Sequence, residues 1–448
     1  MTLTRDLGQF VAGLSPSRIP DAAARIARMG FIDCIGTMIA GRDEPPPRIL
    51  RNVLQPTPGP ASLCFTADTA AAPEAAWING AAAHALDYDD VALRGHPSTV
   101  LVPAILAEAE TLDLSGRDMV TAYIAGYEVW AELVRRETGS HHGKGWHPTG
   151  IFGAIAAAAA CAALRRLDPG RTAQAIALGA SQSGGLMANF GTMTKPFHAG
   201  RAAHAGVMAA RLAEAGLTAS TDALEHPQGF LAAVSPAGQV DRDSPVTGLG
   251  ETWRILHSGL SIKKYPACYC THRAIDGMLD LVVEQDVRPG DVDGIKVDLS
   301  ENYATILRNH RPDTGLAAKF SIEFAMAAAI VARRVGLAEL TDDFVQRPDI
   351  QALMGRVHVT TNTDYDPDSS GASVTDRVAL RLANGATLAG TPVHRASGHA
   401  DRPLAEPDLF AKFEDCLDVG RSAVPASVMF ERLTTMQHHP ARALAAAA

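Results

Sequence analysis

The chain has 448 residues, 47% of them hydrophobic and 20% charged, with a net charge of −9. That length predicts two domains, and the apolar content suffices for a large core. The negative balance without a long basic run excludes a nucleic-acid partner, and abundant alanine with few aromatics argues for helices rather than a β-sandwich.

The opening, MTLTRDLGQFVAGL, lacks the apolar core of a signal peptide. The longest apolar run, Gly153 to Leu164, is cut off by Arg165-Arg166 too early to span a bilayer. We therefore expect a soluble, cytoplasmic protein with no membrane partner. Its cysteines are scattered apart from Cys268-x-Cys270, so neither a disulfide framework nor a zinc site is expected.

Thr2 to about Ala40 reads as helices broken at Ser15-Pro16-Ser17. Gly41 to Pro60, rich in proline and charge, reads as a loop. Pro73 to Leu86 reads as a buried helix that delivers Asp87-Tyr88-Asp89-Asp90, with Gly95-His96-Pro97-Ser98 soon after. Carboxylates beside a histidine at a helix exit suit acid/base work, yet Asp89 and Asp90 are better read as a helix end running into a polar turn. Val100 to Glu110 and Met119 to Arg136 read as amphipathic helices. His147 precedes Pro148, which holds its backbone extended ahead of an almost featureless apolar helix. His141 and His142 read as solvated. Thr172 to Asn189 predicts a further helix with a break at Gly184-Gly185.

Thr194-Lys195-Pro196-Phe197-His198-Ala199-Gly200-Arg201 follows, with Pro196 and Gly200 placing Lys195 on a loop and a helix running from Ala202 to Leu217. A cationic loop at a helix N-terminus suits anions. The character changes near Ser261. Lys263-Lys264-Tyr265-Pro266-Ala267-Cys268 and His272 form a second cationic cluster that opens a helix from Ala274 to Glu284. Strands are expected at 292–299, 356–360 and 376–382, the last turning at Asn384-Gly385 into a hairpin, with a helix from Phe320 to Arg333 among them. Helices return from Leu404, and the tail from Ala441 to Ala448 reads as frayed.

Five or more ordered segments resemble the MmgE/PrpD family, which contains 2-methylcitrate dehydratases, cis-aconitate decarboxylases and iminodisuccinate epimerase. They are HALDYDD with GHPS, GWHPTG, TKPFHAGRAAHAG, KKYPACYCTHRAID, and the regions of Lys319 and His399. The sequence departs in three places: Val91 stands where many members have Thr, the spacer to His96 is shorter, and the decarboxylases tend to carry His where Cys268 stands. The resemblance implies a mainly α fold with an inserted α+β domain. A helical domain (1–261, resumed at 398–448) would carry a smaller lid (262–397), with the site in the cleft between them. It also implies a homodimer and a small di- or tricarboxylate substrate. On the matching positions it carries catalytic roles to Asp87, His96, His147, Lys195 and Lys263.

The residue types fit that chemistry independently. Lys195, Lys263, Lys264 and Arg201 can neutralise carboxylates, and Tyr265, His198 and His272 complete the expected substrate-binding set. Histidines titrate near neutrality and can move the proton beside a carboxylate, while cations stabilise the charge that builds there. His198 and His204 are not at helix-face spacing and no His-Glu-x-x-His motif occurs, so no metal is expected. No phosphate loop or cofactor signature is present, so no cofactor is expected. The reading favours a 2-methylcitrate dehydratase-like lyase. The alternatives are an iminodisuccinate-type epimerase, a cis-aconitate-type decarboxylase, and a non-catalytic carboxylate-binding protein.

Overall fold

A computed structural model describes residues 2–369 and 371–444. The chain divides into two compact units, Met1–Ile262 with Ala405–Ala448, and Lys263–Leu404. Residues 398–404 thus belong to the second unit, and the return to the first begins at Ala405.

Helices of nine residues or more are numbered in chain order. In the first unit they are α1 (Leu3–Ala12), α2 (Asp21–Gly41), α3 (Pro45–Leu54), α4 (Ala72–Ala85), α5 (Ser98–Leu112), α6 (Gly116–Arg135), α7 (Pro148–Leu164), α8 (Pro169–Ala180) and α9 (Thr194–Glu214). The centre is α7, whose residues from Pro148 to Ala162 are all buried. A helix apolar on every face must be covered on every face, and α5, α6, α8 and α9 surround it. Its small side chains permit close approach: a Cβ on Gly206 of α9 would lie 2.6 Å from the carbonyl carbon of Ala157.

Three sequence expectations change here. The stretch 45–54 is helical, not loop, because its three prolines fill the first turn of α3, where amide hydrogens have no intrahelical partner to lose. The same argument moves Lys195 from a loop onto α9, since Pro196 sits in that helix's first turn. Gly200 does not break α9 either. It lets the helix press on α4, where an added Cβ would lie 2.9 Å from the amide nitrogen of Ala81. The helix expected from Thr172 ends at Ala180, ahead of the expected break at Gly184-Gly185, and a short 3-10 turn follows at Met187–Asn189.

The second unit holds α10 (His272–Glu284), α11 (Ile322–Ala332) and a mixed sheet of β1 (Val292–Ser300), β2 (Val357–Asn362), β3 (Arg377–Leu382) and β4 (Thr387–Ala389). The strand order is β2-β1-β3-β4, with β1 and β2 parallel and the other pairs antiparallel. Gly385, at φ 86°, makes the hairpin turn between β3 and β4. From Ile295 to Leu299 burial alternates along β1, so one face packs inward. The buried carboxylate of Asp376 receives a forked pair of hydrogen bonds from Arg273 at 2.6 and 3.1 Å, tying α10 to the entry of β3.

The chain then returns to the first unit as α12 (Glu406–Val419) and α13 (Ala426–Thr434), with α12 packed on α2. Residues 441–443 form a short 3-10 turn with Ala441 and Leu444 buried, rather than fraying. Positions 445–448 of that expected tail lie outside the described residues. Among the described residues, no helix is long and apolar enough to cross a membrane.

Candidate active site

The site in the first unit is assembled where α4 ends. Asp87 takes a left-handed backbone conformation (φ 52°), which stops the helix and turns the acidic run back on itself. Asp87, Asp89 and Asp90 are all buried, as is His84 in the last turn of α4. The ammonium of Lys195, in the first turn of α9, donates to Asp87 Oδ1 at 2.5 Å. Both partners are removed from solvent, so each charge depends on the other.

Beside that ion pair stand four imidazoles. Oδ1 of Asp89 lies 2.8 Å from Nδ1 of His84, and its Oδ2 lies 2.6 Å from Nδ1 of His96. The rings of His84 and His96 are 4.4 Å apart, and His84 stacks over His147 at 6.1 Å. His147 occupies the N-cap position of α7, fixed by its amide hydrogen bond to the carbonyl of Gly185 at 3.0 Å. Its Nδ1 lies 3.1 Å from Nδ1 of His198, so one of the two nitrogens donates and the other accepts. Nε2 of His84 and Nε2 of His147 are buried with no hydrogen-bond partner among the described residues.

Burial pushes His84 and His198 down to about 4. It pushes His147 well below the usual range, with the Lys195 charge adding to the effect. These rings are neutral near pH 7 and act as acceptors of protons. Burial alone would raise Asp89, but His84 and His96 hold it well below the usual carboxylate range. Asp90 behaves oppositely: burial, then the charge of Asp33, pushes it well above that range, and it receives a very short hydrogen bond from Ser98.

Beneath the acidic run, Lys412 of α12 reaches Asp33 of α2 at 2.5 Å and the carbonyl of Tyr88 at 2.7 Å. This buried brace fixes the loop from below. Ligand atoms of His84, Asp87, Asp89 and His96 lie within 4.8 Å of one another, a donor set compact enough for a divalent cation. Lys195 and the two imidazoles already engage Asp87 and Asp89, however, so a cation would compete with those bonds.

Two family models match the chain, the MmgE/PrpD N-terminal domain over residues 5–243 and the MmgE/PrpD C-terminal domain over residues 265–428. The chain belongs to the MmgE/PrpD family. Similar curated proteins are enzymes. Human cis-aconitate decarboxylase is 28% identical over 351 residues, covering 76% of this chain and 71% of that protein. The mouse enzyme of the same name is 25% identical over 441 residues, covering 92% of this chain and 86% of its own. A cis-aconitate decarboxylase of Aspergillus terreus is 26% identical over 339 residues, covering 70% and 68%.

Of the residues singled out from the sequence, Asp87, His96, His147, Lys195 and His198 come together in this site. Arg201 does not: it stacks on Trp77 at 5.3 Å and lies 2.6 Å from Nδ1 of His204. The second unit holds the other cluster. There Lys263 is buried and Lys264 is exposed over the ring of Tyr265. The Tyr265 hydroxyl donates to Asp276 at 2.6 Å, and Asp276 also accepts the amide of Ser397. His272 is wholly buried against Tyr265 and Tyr269, with Nε2 3.3 Å from the carbonyl of Ala267. Tyr265 and His272 thus hold their own unit together. His141, expected in solvent, is buried edge-on to Phe152.

The sequence reading missed His84, Asp33 and Lys412, and set Asp89 aside as a turn residue. A signal for two of them exists: His84 and Asp33 each interrupt a helix that is otherwise small and apolar around them. A buried polar side chain in such a place needs a partner.

Proposed function

We propose that this enzyme is a cofactor-independent lyase acting at the carbon next to a carboxylate of a small di- or tricarboxylic acid. One observation carries the reading: a buried Lys195–Asp87 pair stands among four imidazoles, two of which have bare, desolvated nitrogens. Lys195 supplies the positive charge that stabilises electrons building on a substrate carboxylate, and it does so most strongly where water is excluded. Asp87 sets the position of that ammonium. His96 and His147 move the proton. Lys263 belongs to the same reading through its family motif, as a second cation for the substrate.

The names of the relatives favour decarboxylation of an unsaturated tricarboxylate such as cis-aconitate. The bond to one carboxylate carbon breaks and CO₂ leaves. The electron pair spreads through the neighbouring double bond toward a second carboxylate, and a proton then quenches it. Dehydration is the second reading, favoured by Cys268 at a position where the resembling decarboxylases tend to carry histidine. It uses the same parts, with an imidazole taking the proton before hydroxide leaves.

Proton and carbon NMR of the purified protein with cis-aconitate, citrate, 2-methylcitrate, tartrates and iminodisuccinate in D₂O tests both readings. Labelled CO₂ with a new methylene signal supports decarboxylation, and a new vinyl signal from a hydroxy acid supports dehydration. Deuterium entering an α-carbon without net conversion supports an epimerase. Binding without exchange or turnover, unchanged in Lys195→Ala, overturns the enzyme reading. We expect a homodimer, which sedimentation velocity checks.

A further inference from the structure

His84 and His96 share one carboxylate, and the geometry of that sharing fixes where their protons reside. Nδ1 of His96 faces two oxygens, Oδ2 of Asp89 at 2.6 Å and the backbone carbonyl of Asp90 at 3.0 Å. A carbonyl oxygen can only accept, and so can an ionised carboxylate. Nδ1 of His96 therefore carries the hydrogen, and in the neutral ring Nε2 holds the lone pair. The other oxygen of Asp89 lies 2.8 Å from Nδ1 of His84, and its partner nitrogen Nε2 is buried without a hydrogen-bond partner among the described residues. A donor hydrogen on that Nε2 would be unsatisfied, whereas a hydrogen on Nδ1 meets the carboxylate. His84 is the same tautomer as His96.

We propose that Asp89 is a positioning residue that locks both imidazoles as Nδ1–H tautomers, so that in His96 and His84 alike the lone pair sits on Nε2. A ring that accepts a substrate proton on Nε2 becomes an imidazolium facing an anion already in place. The two rings lie 4.4 Å apart and draw on the same anion, so charging one removes the support for charging the other. Lys195 also faces this cluster and further opposes positive charge on His84, while Asp33 and Asp90 stand close enough to Asp89 for their charges to interact with it. The catalytic consequence rests on the lyase reading above, whereas the tautomer assignment does not.

The test is nitrogen NMR of the whole protein labelled at histidine, with His84→Gln and His96→Gln assigning the two rings. In the unaltered protein both should show a protonated Nδ1 and an unprotonated Nε2. Asp89→Asn keeps the shape but offers one acceptor and one donor. Because the Asp90 carbonyl still holds His96, that ring should keep its tautomer while His84 alone changes to Nε2–H. For any acid that is turned over, kcat should fall by roughly 10²–10⁴-fold with KM little changed, and Asp89→Glu should recover part of it. A hydrogen on Nε2 of either ring in the unaltered protein overturns the assignment. Unchanged kcat in Asp89→Asn despite the tautomer change overturns the positioning role. The expected tautomers in a protein that turns over none of the acids would leave the assignment standing and remove the lyase reading instead.

Discussion

Gly80→Ala tests whether the close contact between α4 and α9 sets the geometry of the site. A Cβ at residue 80 would lie 2.7 Å from the Cα of Gly200 and 3.2 Å from the carbonyl oxygen of Thr99. Carbon atoms pack at about 3.5–4.0 Å, so the two helices must part by roughly 1 Å. Overpacking of this kind costs about 1–3 kcal/mol, and the higher helix propensity of alanine returns about 1 kcal/mol. The net loss of stability is then at most about 2 kcal/mol, and the protein stays folded. Activity has no such compensation. Asp87 follows directly from α4 and Lys195 stands at the start of α9, joined across 2.5 Å. A shift of about 1 Å at a reacting group can lower the rate by about 10²-fold. Calorimetry should therefore show a small fall in Tm while kcat/KM falls by about two orders of magnitude. Gly290→Ala, where an added Cβ meets nothing within 4 Å, should change neither. Full kcat/KM in Gly80→Ala, or a loss no larger than the unfolded fraction explains, would refute the argument.

Removing the Lys195 ammonium by Lys195→Met should destabilise the fold by about 3–5 kcal/mol, because the buried Asp87 charge loses that counterion; denaturation of the Asp87→Asn/Lys195→Met double variant should show most of it regained. His147→Gln should lower kcat by about 10²–10⁴-fold while Tm stays near that of the parent. Glu110 accepts from both the amide and the hydroxyl of Ser62, and burial raises its carboxyl to about 7. The folded state thus holds the proton more tightly than the unfolded chain does. Its contribution is complete below about pH 4.5 and is lost as pH rises through about 7, a span worth roughly 3 kcal/mol. Stability of the parent relative to Glu110→Gln should therefore fall between pH 5 and 8, and parallel pH curves would contradict the assignment.

The helices and strands were legible wherever local pattern and burial agree, as in α7, where an uninterrupted apolar run can only be core, or at Asn384-Gly385, where two residues dictate a turn. The sequence misled at α3 and at Lys195 for one reason: proline was read as a breaker, although in a first turn it costs nothing. Asp87, His96, His147 and Lys195 were legible because each sits in a motif with chemistry of its own. Asp89 and Asp90 were not, since a polar run after a helix looks the same whether water or protein covers it. Lys412 lies in the stretch from Gly398 to Phe413 that resembles the family, but no local pattern gives it a partner. Its partners Asp33 and Tyr88 lie hundreds of positions away, and only the fold makes them neighbours.

That distance orders events during synthesis. The second unit is one unbroken stretch and is complete as soon as residue 404 has emerged, whereas the first still lacks α12. Until then Asp33 faces no ammonium, and the loop that carries Asp87, Asp89 and Asp90 has nothing beneath it. A ribosome-bound chain that lacks α12 therefore leaves the buried carboxylate of Asp33 without the ammonium that faces it in the finished fold. Lys412, midway along α12, is thus the last of these buried charges to be made, and the loop above it gains its brace only then.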